Sequence, residues 1–502
     1  MNLSLKLIKV FERYKNKTAI IIGKKKYSYN FLKIKSDQII SQFKQENINT
    51  KDVVLIFNNK NIEEFLMMIA CLRSGVIYSN IDPSLPGDRI RLMVKNLNPK
   101  IFYSKKYTRN ILDNINKKKI FRIRKTNIAS SKASNKFSKF NPLYIIYTSG
   151  SSGIPKGVCV NHNNVINFIK WSKKKFKIQS KDNITNLNPM YFDNSVFDFY
   201  NSIFNGATMV VFKEDDVKKP ENIMKIIKTN NCTIWYSVPS LLIYCQNLRV
   251  FEIKNFFKIK KIVFAGEPFP KYKLYDLFKK FRENIIFFNA YGPTETTCLC
   301  SAHKINLKDF KSNYNLVTLG KLNDGNCLFK INVTKKNYIY KNFKKGELHI
   351  GGGFVSDGYY KNKKLTSEKF YELKSKNKKV RFYNSGDLVI KDKKGFYHYK
   401  GRSDNQIKIM GYRIELEDIE MNINKLKYVN QSCVLLDKNK QSTSLVAFIS
   451  SKNKNLFTFK QDLKKHLPHY MIPKKFVFMK SLPFNRNGKL DKNRLKKQVN
   501  LK

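Results

Sequence analysis

The chain has 502 residues, 42% of them hydrophobic and including 38 Phe and 27 Tyr. That is too much apolar material for a disordered protein and too long for one core, so two to four structural units are predicted. The 97 Lys+Arg against 37 Asp+Glu give a formal charge of +60, but lysines run from Lys6 to Lys502 among Asn and Ile rather than in a tail or one basic helix, so the charge reads as solvated surface and no specific nucleic-acid partner is expected.

The eight cysteines form no CxxC pair and no Cys/His metal cluster, which suits buried thiols in a reducing compartment. No apolar run is long enough to cross a bilayer, and charges interrupt the N-terminal MNLSLKLIKVFERYKNK. A cytoplasmic protein without membrane insertion is expected.

In chain order, residues 3–14 place Leu3, Leu7 and Val10 or Phe11 on one helical face. VVLIF (53–57) is predicted as a buried strand and IEEFLMMIACL (62–72) as a helix packed on it; residues 71–90 turn through Gly75 into another strand. Residues 105–140 are Lys/Ser/Asn-rich and read as irregular surface. LYIIY (143–147) is a strand, followed by YTSGSSGIPKG (147–157), then strand VCV and a helix opening near an Asn cap. Strands TMVVF (208–212), TIWYSV (233–238), KIVFAGE (261–267) and NIIFFNAYG (284–292) follow, with a helix opened by Pro220 between the first two. This alternation predicts an α/β fold with a mostly parallel sheet covered on both faces, and ligands at the carboxyl ends of its strands.

The organising stretch is YTSGSSGIPKG. Thr148, Ser149, Ser151, Ser152 and Lys156 are donors, and Gly150, Gly153 and Gly157 let the backbone approach what they hold. A strand entering such a loop suits a polyphosphate, although the spacing is not that of a Walker loop, and a Gly/Ser linker is the competing reading. NAYGPTE (289–295) offers a ring, a turn, a hydroxyl and a carboxylate, a set able to stack on a base and hold hydrated Mg²⁺ beside phosphates. YFDNSVFD (191–198) sets Asp193 among aromatic residues, where a carboxylate asks for a cationic partner from protein or ligand.

Together with SGVIYSNIDP, GELHIGGGFVSDGYY, YNSGDL, GRSDNQIKIMGYRIELEDIE, LPHYMIP and NGKLD, in order and nearly end to end, these motifs make the chain resemble the adenylate-forming superfamily. It is most similar there to the amino-acid adenylation domains of nonribosomal peptide synthetases and to free-standing D-alanine:carrier-protein ligases. The resemblance implies a large N-terminal domain of parallel-rich sheets packed with helices (1–400) and a small mobile α+β C-terminal lid (401–502), hinged near Asp404. It implies that Thr148, Ser149, Gly150, Ser151, Ser152, Gly153 and Lys156 bind the β- and γ-phosphates of ATP. Gly266, Glu267, Pro268, Asn289, Ala290 and Tyr291 would frame adenine, with Asp387 and Arg402 on the ribose. Thr294 and Glu295 would hold the α-phosphate and Mg²⁺, with Glu295 the metal ligand, and Lys489 would bridge carboxylate and phosphate oxygens. Asp193 would pair with the substrate's α-ammonium. Asn194, Phe197, Tyr236, Val263, Ala265, Ala290, Cys298 and Leu299 would line a side-chain pocket suited to a neutral amino acid.

The implied chemistry is attack of the amino acid's ionised carboxylate on the α-phosphorus, with loss of pyrophosphate and no need of a protein base. In a second pose of the lid, Ile407 to Gly411 would face the adenylate, Gly411 leaving room for the phosphopantetheine arm of a separate carrier protein. Ala265 stands where D-alanine ligases typically have Cys, Ser152 and Ser385 where Thr is commoner, and Asn80 where Pro is usual; none of these removes a catalytic group. An acyl- or aryl-CoA synthetase is the alternative enzyme, and a basic nucleic-acid-binding or scaffold protein the non-enzymatic one.

Overall fold

A computed structural model describes residues 2–124, 137–150, 153–252, 256, 258–312, 314–321, 327–332, 344–375, 378–438, 443–483 and 490–498. Helix Leu3–Arg13 starts on Asn2, whose side chain accepts from the Leu5 N–H, and it buries Leu3, Leu7 and Phe11. Helix Ile62–Ser74 opens with an Asn61/Glu64 capping box and stops at Gly75, whose φ of 74° is left-handed. Helix His162–Phe176 opens with an Asn161/Asn164 box, at the predicted Asn cap.

Among the described residues the strands form five sheets. The largest runs Ser301–Lys304, Ile286–Tyr291, Lys261–Phe264, Ile234–Ser237, Asn183–Asn186, Thr208–Val211, Thr18–Ile22, Lys25–Ser28, parallel except at its two edges. A second sheet runs Gly358–Tyr359, Lys156–Asn161, Pro142–Thr148, Ile77–Ile81, Val53–Phe57, Ile101–Tyr103. Helices fill the space between these two sheets: Ile20 and Met209 from the first and Val54 and Ile56 from the second share one core with Leu7, Phe65 and Phe199. The Phe65 and Phe199 rings stack there with centroids 6.2 Å apart.

Two features depart from simple βα alternation. Pro142–Thr148 pairs antiparallel with Lys156–Asn161, so the donor-rich loop is the tip of a hairpin rather than a strand-to-helix turn. A third sheet, built on Lys344–Gly352, Lys378–Lys391 and Phe396–Arg402, is antiparallel.

A small α+β domain follows. Its core joins Ile414, Ile419, Val434, Phe459 and Leu463, and every residue in that core or packed on it lies at position 407 or later. It comprises hairpin Gln406–Ile409/Tyr412–Glu415, a three-stranded sheet and helices Leu416–Asn424 and Leu456–His466. The mixed α/β architecture with a large and a small domain is therefore the one the motifs imply. Among the described residues no helix is long and apolar enough to cross a membrane.

Candidate active site

Ile234–Ser237, Lys261–Phe264 and Ile286–Tyr291 are parallel neighbours, so their carboxyl ends open at one edge of the large sheet. From those ends project Val238, Ala265 to Pro268, and Gly292 to Glu295. The hairpin of the small domain lies over this edge, and the resulting cleft is lined by Thr148, Ser149, Asp193, Thr294, Gly411 and Arg413 among others.

At the loop, a Cβ on Gly150 would sit 2.1 Å from the Ile154 carbonyl oxygen, so only glycine fits. The Gly153 N–H closes the turn on the Gly150 carbonyl at 3.0 Å. Thr148 Oγ1 is buried and, among the described residues, has no hydrogen-bond partner, an orphan that invites a ligand. Ser149 Oγ donates to the Arg413 carbonyl at 2.7 Å, and Lys156 Nζ is 3.5 Å from Glu415 Oε1. Burial and the nearby Arg413 lower the Lys156 pKa, against Glu295 and Glu415. Ser151 and Ser152 lie outside the described residues.

Glu295 is inaccessible. It accepts from the Tyr359 hydroxyl at 2.7 Å and from Arg413 Nη1 at 2.5 Å. Burial would raise its pKa, but Arg413 and Lys156 hold it down to about 2, so it is a buried anion at neutral pH. Among the described residues no group of three or more His, Cys, Asp or Glu surrounds a metal position. A lone ionised carboxylate beside phosphate donors is nonetheless what Mg²⁺ uses when phosphates and water complete its shell, so the residues present fit that ion.

Asp387 accepts from the Tyr291 hydroxyl at 2.5 Å and from Arg402 Nη1 at 2.7 Å. Arg402 also grips Asp404 through Nε and Nη2, at 2.6 and 2.7 Å. Burial would raise the Asp404 carboxyl, but these bonds hold it below the usual range. Asn289 Nδ2 donates to the Thr318 carbonyl at 2.9 Å, and Ala290 is buried beside it. Glu267 accepts from the Ser240 N–H at 2.7 Å and from the Gly411 N–H; Gly266 and Pro268 flank it.

Asp193 lines the cleft. Thr294 Oγ1 donates to it at 2.6 Å, and among the described residues no ammonium or guanidinium stands within ion-pair distance. Burial raises its pKa, opposed by Thr294, Lys408 and Arg413. Behind it, Tyr236 donates to Asn194 Oδ1 at 2.7 Å, its ring 4.3 Å from that of Phe197 and its oxygen 4.0 Å from Cys298 Sγ. Val263, Ala265 and Leu299 are buried in the same core cluster as Phe197 and Tyr236. Lys489 lies outside the described residues.

Sequence reasoning gave no role to Arg413, Glu415, Arg89 or Asp418. Arg89, on helix Gly87–Leu97, bonds Asp418 of the small domain at 2.6 Å, the Gly153 carbonyl at 3.2 Å and the His466 carbonyl at 3.3 Å. The available signal was alternation: Arg413 and Glu415, two apart on a strand, share one face.

Residues 8–360 match the family model of the AMP-binding enzyme, and residues 418–489 that of the AMP-binding enzyme C-terminal domain. The chain is 29% identical to the D-alanine--D-alanyl carrier protein ligase of Bacillus cytotoxicus, over 99% of this chain and 100% of that one. Its fold is similar to that of the Vibrio cholerae adenylation domain AlmE in complex with glycyl-adenosine-5'-phosphate, with a TM-score of 0.84, 19% identity, and coverage of 100% of this chain and 98% of that one. It is also similar to a holo NRPS protein containing adenylation and PCP domains bound to a vinylsulfonamide inhibitor, with a TM-score of 0.86, 18% identity, and coverage of 99% and 84%. The first match takes in the donor-rich loop, Asp193 and Glu295, and the second the small domain facing them: the chain belongs to the AMP-binding enzyme family.

Proposed function

We propose that the protein uses ATP to activate an uncharged amino acid as its aminoacyl adenylate and then transfers the acyl group to the phosphopantetheine thiol of a carrier protein, in the cytoplasm. The observation that carries this reading is Asp193, an acid on the cleft wall bonded to a hydroxyl and, among the described residues, to no cation. An α-ammonium would complete it; a fatty or aryl acid would leave it as it is. The apolar wall of Phe197, Val263, Ala265 and Leu299, with Tyr236 and Asn194 bonded to each other, offers no partner to a charged side chain. The full-length similarity to a D-alanine--D-alanyl carrier protein ligase supports the carrier-protein step.

In this reading Ser149, Lys156 and the buried Thr148 hydroxyl hold the terminal phosphates, Asp387 and Arg402 orient the ribose, and Thr294 touches both the α-phosphate and Asp193. Mg²⁺, when bound at Glu295, supplies positive charge against the phosphates. The substrate carboxylate attacks the α-phosphorus, pyrophosphate departs, and the cleft walls keep water from the anhydride. Lys489 is assigned to the charge that builds on the oxygens around phosphorus, and Lys489→Ala is expected to lower adenylation by about 10²-fold or more.

ATP–pyrophosphate exchange tests the reading directly, run with every amino acid in both enantiomers and a panel of aryl and fatty acids. Amino-acid-dependent return of label to ATP is expected. Return with aryl or fatty acids alone would make the protein an acyl-CoA synthetase instead.

A further inference from the structure

Three groups assigned above to ATP and its metal already have partners, all on strand Tyr412–Glu415. Ser149 Oγ bonds the Arg413 carbonyl and accepts from the Glu415 N–H at 3.2 Å. Lys156 faces the Glu415 carboxylate, and Glu295 the Arg413 guanidinium. The four charged side chains are nearly closed to solvent, at 12% and 8% exposure for Lys156 and Glu415 and 11% and 0% for Arg413 and Glu295.

The sign pattern is informative. An anion from the small domain stands at the lysine, where terminal phosphates are assigned, and a cation stands at the carboxylate, where the metal is assigned. The pair is also pre-arranged: Gln406, opposite Glu415 in the hairpin, accepts from Arg413 Nε at 2.7 Å and donates from Nε2 to Glu415. Losing metal and pyrophosphate would strand Glu295 and Lys156 as buried, unpaired charges, a costly state that the hairpin relieves.

We propose that Arg413 and Glu415 are positioning residues that stand in for the metal and the departing pyrophosphate. They seat the small domain over a site cleared of phosphates, and the next metal–ATP displaces them. The proposal rests on the nucleotide assignment of the preceding subsection and adds a competition that the assignment alone does not require.

The test is calorimetric titration of the full-length protein with α,β-methylene-ATP and Mg²⁺. Removing the competing pose raises the binding-competent fraction, so Arg413→Gln and Glu415→Gln should each tighten the nucleotide by roughly 3- to 10-fold. The charge-keeping Arg413→Lys should stay near wild type. Unchanged or weaker binding in both neutral variants, with the wild type binding normally, overturns the proposal and leaves the function intact. A wild type that binds no nucleotide overturns the nucleotide assignment and the proposal with it. Should Arg413→Gln fail to fold, Glu415→Gln, which alters little but charge, decides alone.

Discussion

Asp193 and Glu295 are both carboxylates of the cleft, and the protein treats them in opposite ways. Burial raises Asp193, so the fold favours its neutral form: its contribution to stability is fully present below the unfolded carboxyl pKa and is lost as pH rises through the raised value. Asp193→Asn is therefore expected to raise the thermal midpoint of the ligand-free protein at pH 7, read by scanning fluorimetry. It should also lower kcat/KM for amino-acid-dependent exchange by about 10²-fold or more, since an ammonium would be left buried and unpaired. Glu295 runs the other way. Held down to about 2 by Arg413 and Lys156 against its burial, it contributes stability above the ordinary carboxyl range, lost as pH falls toward 2. Glu295→Gln should cost about 3–5 kcal/mol in urea unfolding by stranding Arg413. Both acids, and Thr294, were legible as single residues in their motifs. The Thr294–Asp193 bond was not, because it joins positions 101 residues apart and no local pattern encodes it.

Elements differed in how plainly they were written. VVLIF and the Asn-capped helix at 162 could be read because an uninterrupted apolar run and a cap are local signals. Strand Lys25–Ser28 is polar and exposed or half-buried, so it carries no such run. The hairpin form of the donor-rich loop was hidden for a different reason: an apolar strand looks the same whichever way its neighbour runs. Hairpin Gln406–Ile409/Tyr412–Glu415 lies in a stretch singled out by resemblance, yet its contacts depend on how the small domain sits. Its Gly411 has φ 80°, and a Cβ there would stand 2.6 Å from Val238 Cγ1. Gly411→Ala is expected to slow thioester formation at least about 10-fold more than it slows exchange, because only the pose with the hairpin at the cleft is crowded. Equal losses in the two assays would show that the contact with Val238 does not matter.

At the scale of the whole molecule, the last strand of the large domain ends at Arg402 and the first of the small domain begins at Gln406. Asp404, tied back to Arg402, lies between them and is the residue we propose as the hinge. Asp404→Pro should spare ATP–pyrophosphate exchange and reduce carrier loading by more than about 10-fold, since fixing φ blocks the swing but not the first pose. The +60 charge predicts retention on heparin that salt removes, with no sequence preference for any nucleic acid. All eight thiols are free and buried. Cys298 lies beside Tyr236, with its Sγ 4.0 Å from the phenol oxygen, and burial pushes its pKa well above the ordinary thiol range. Kept protonated, Cys298 is a poor nucleophile toward an acyl adenylate, and the visiting arm supplies the sulfur that reacts.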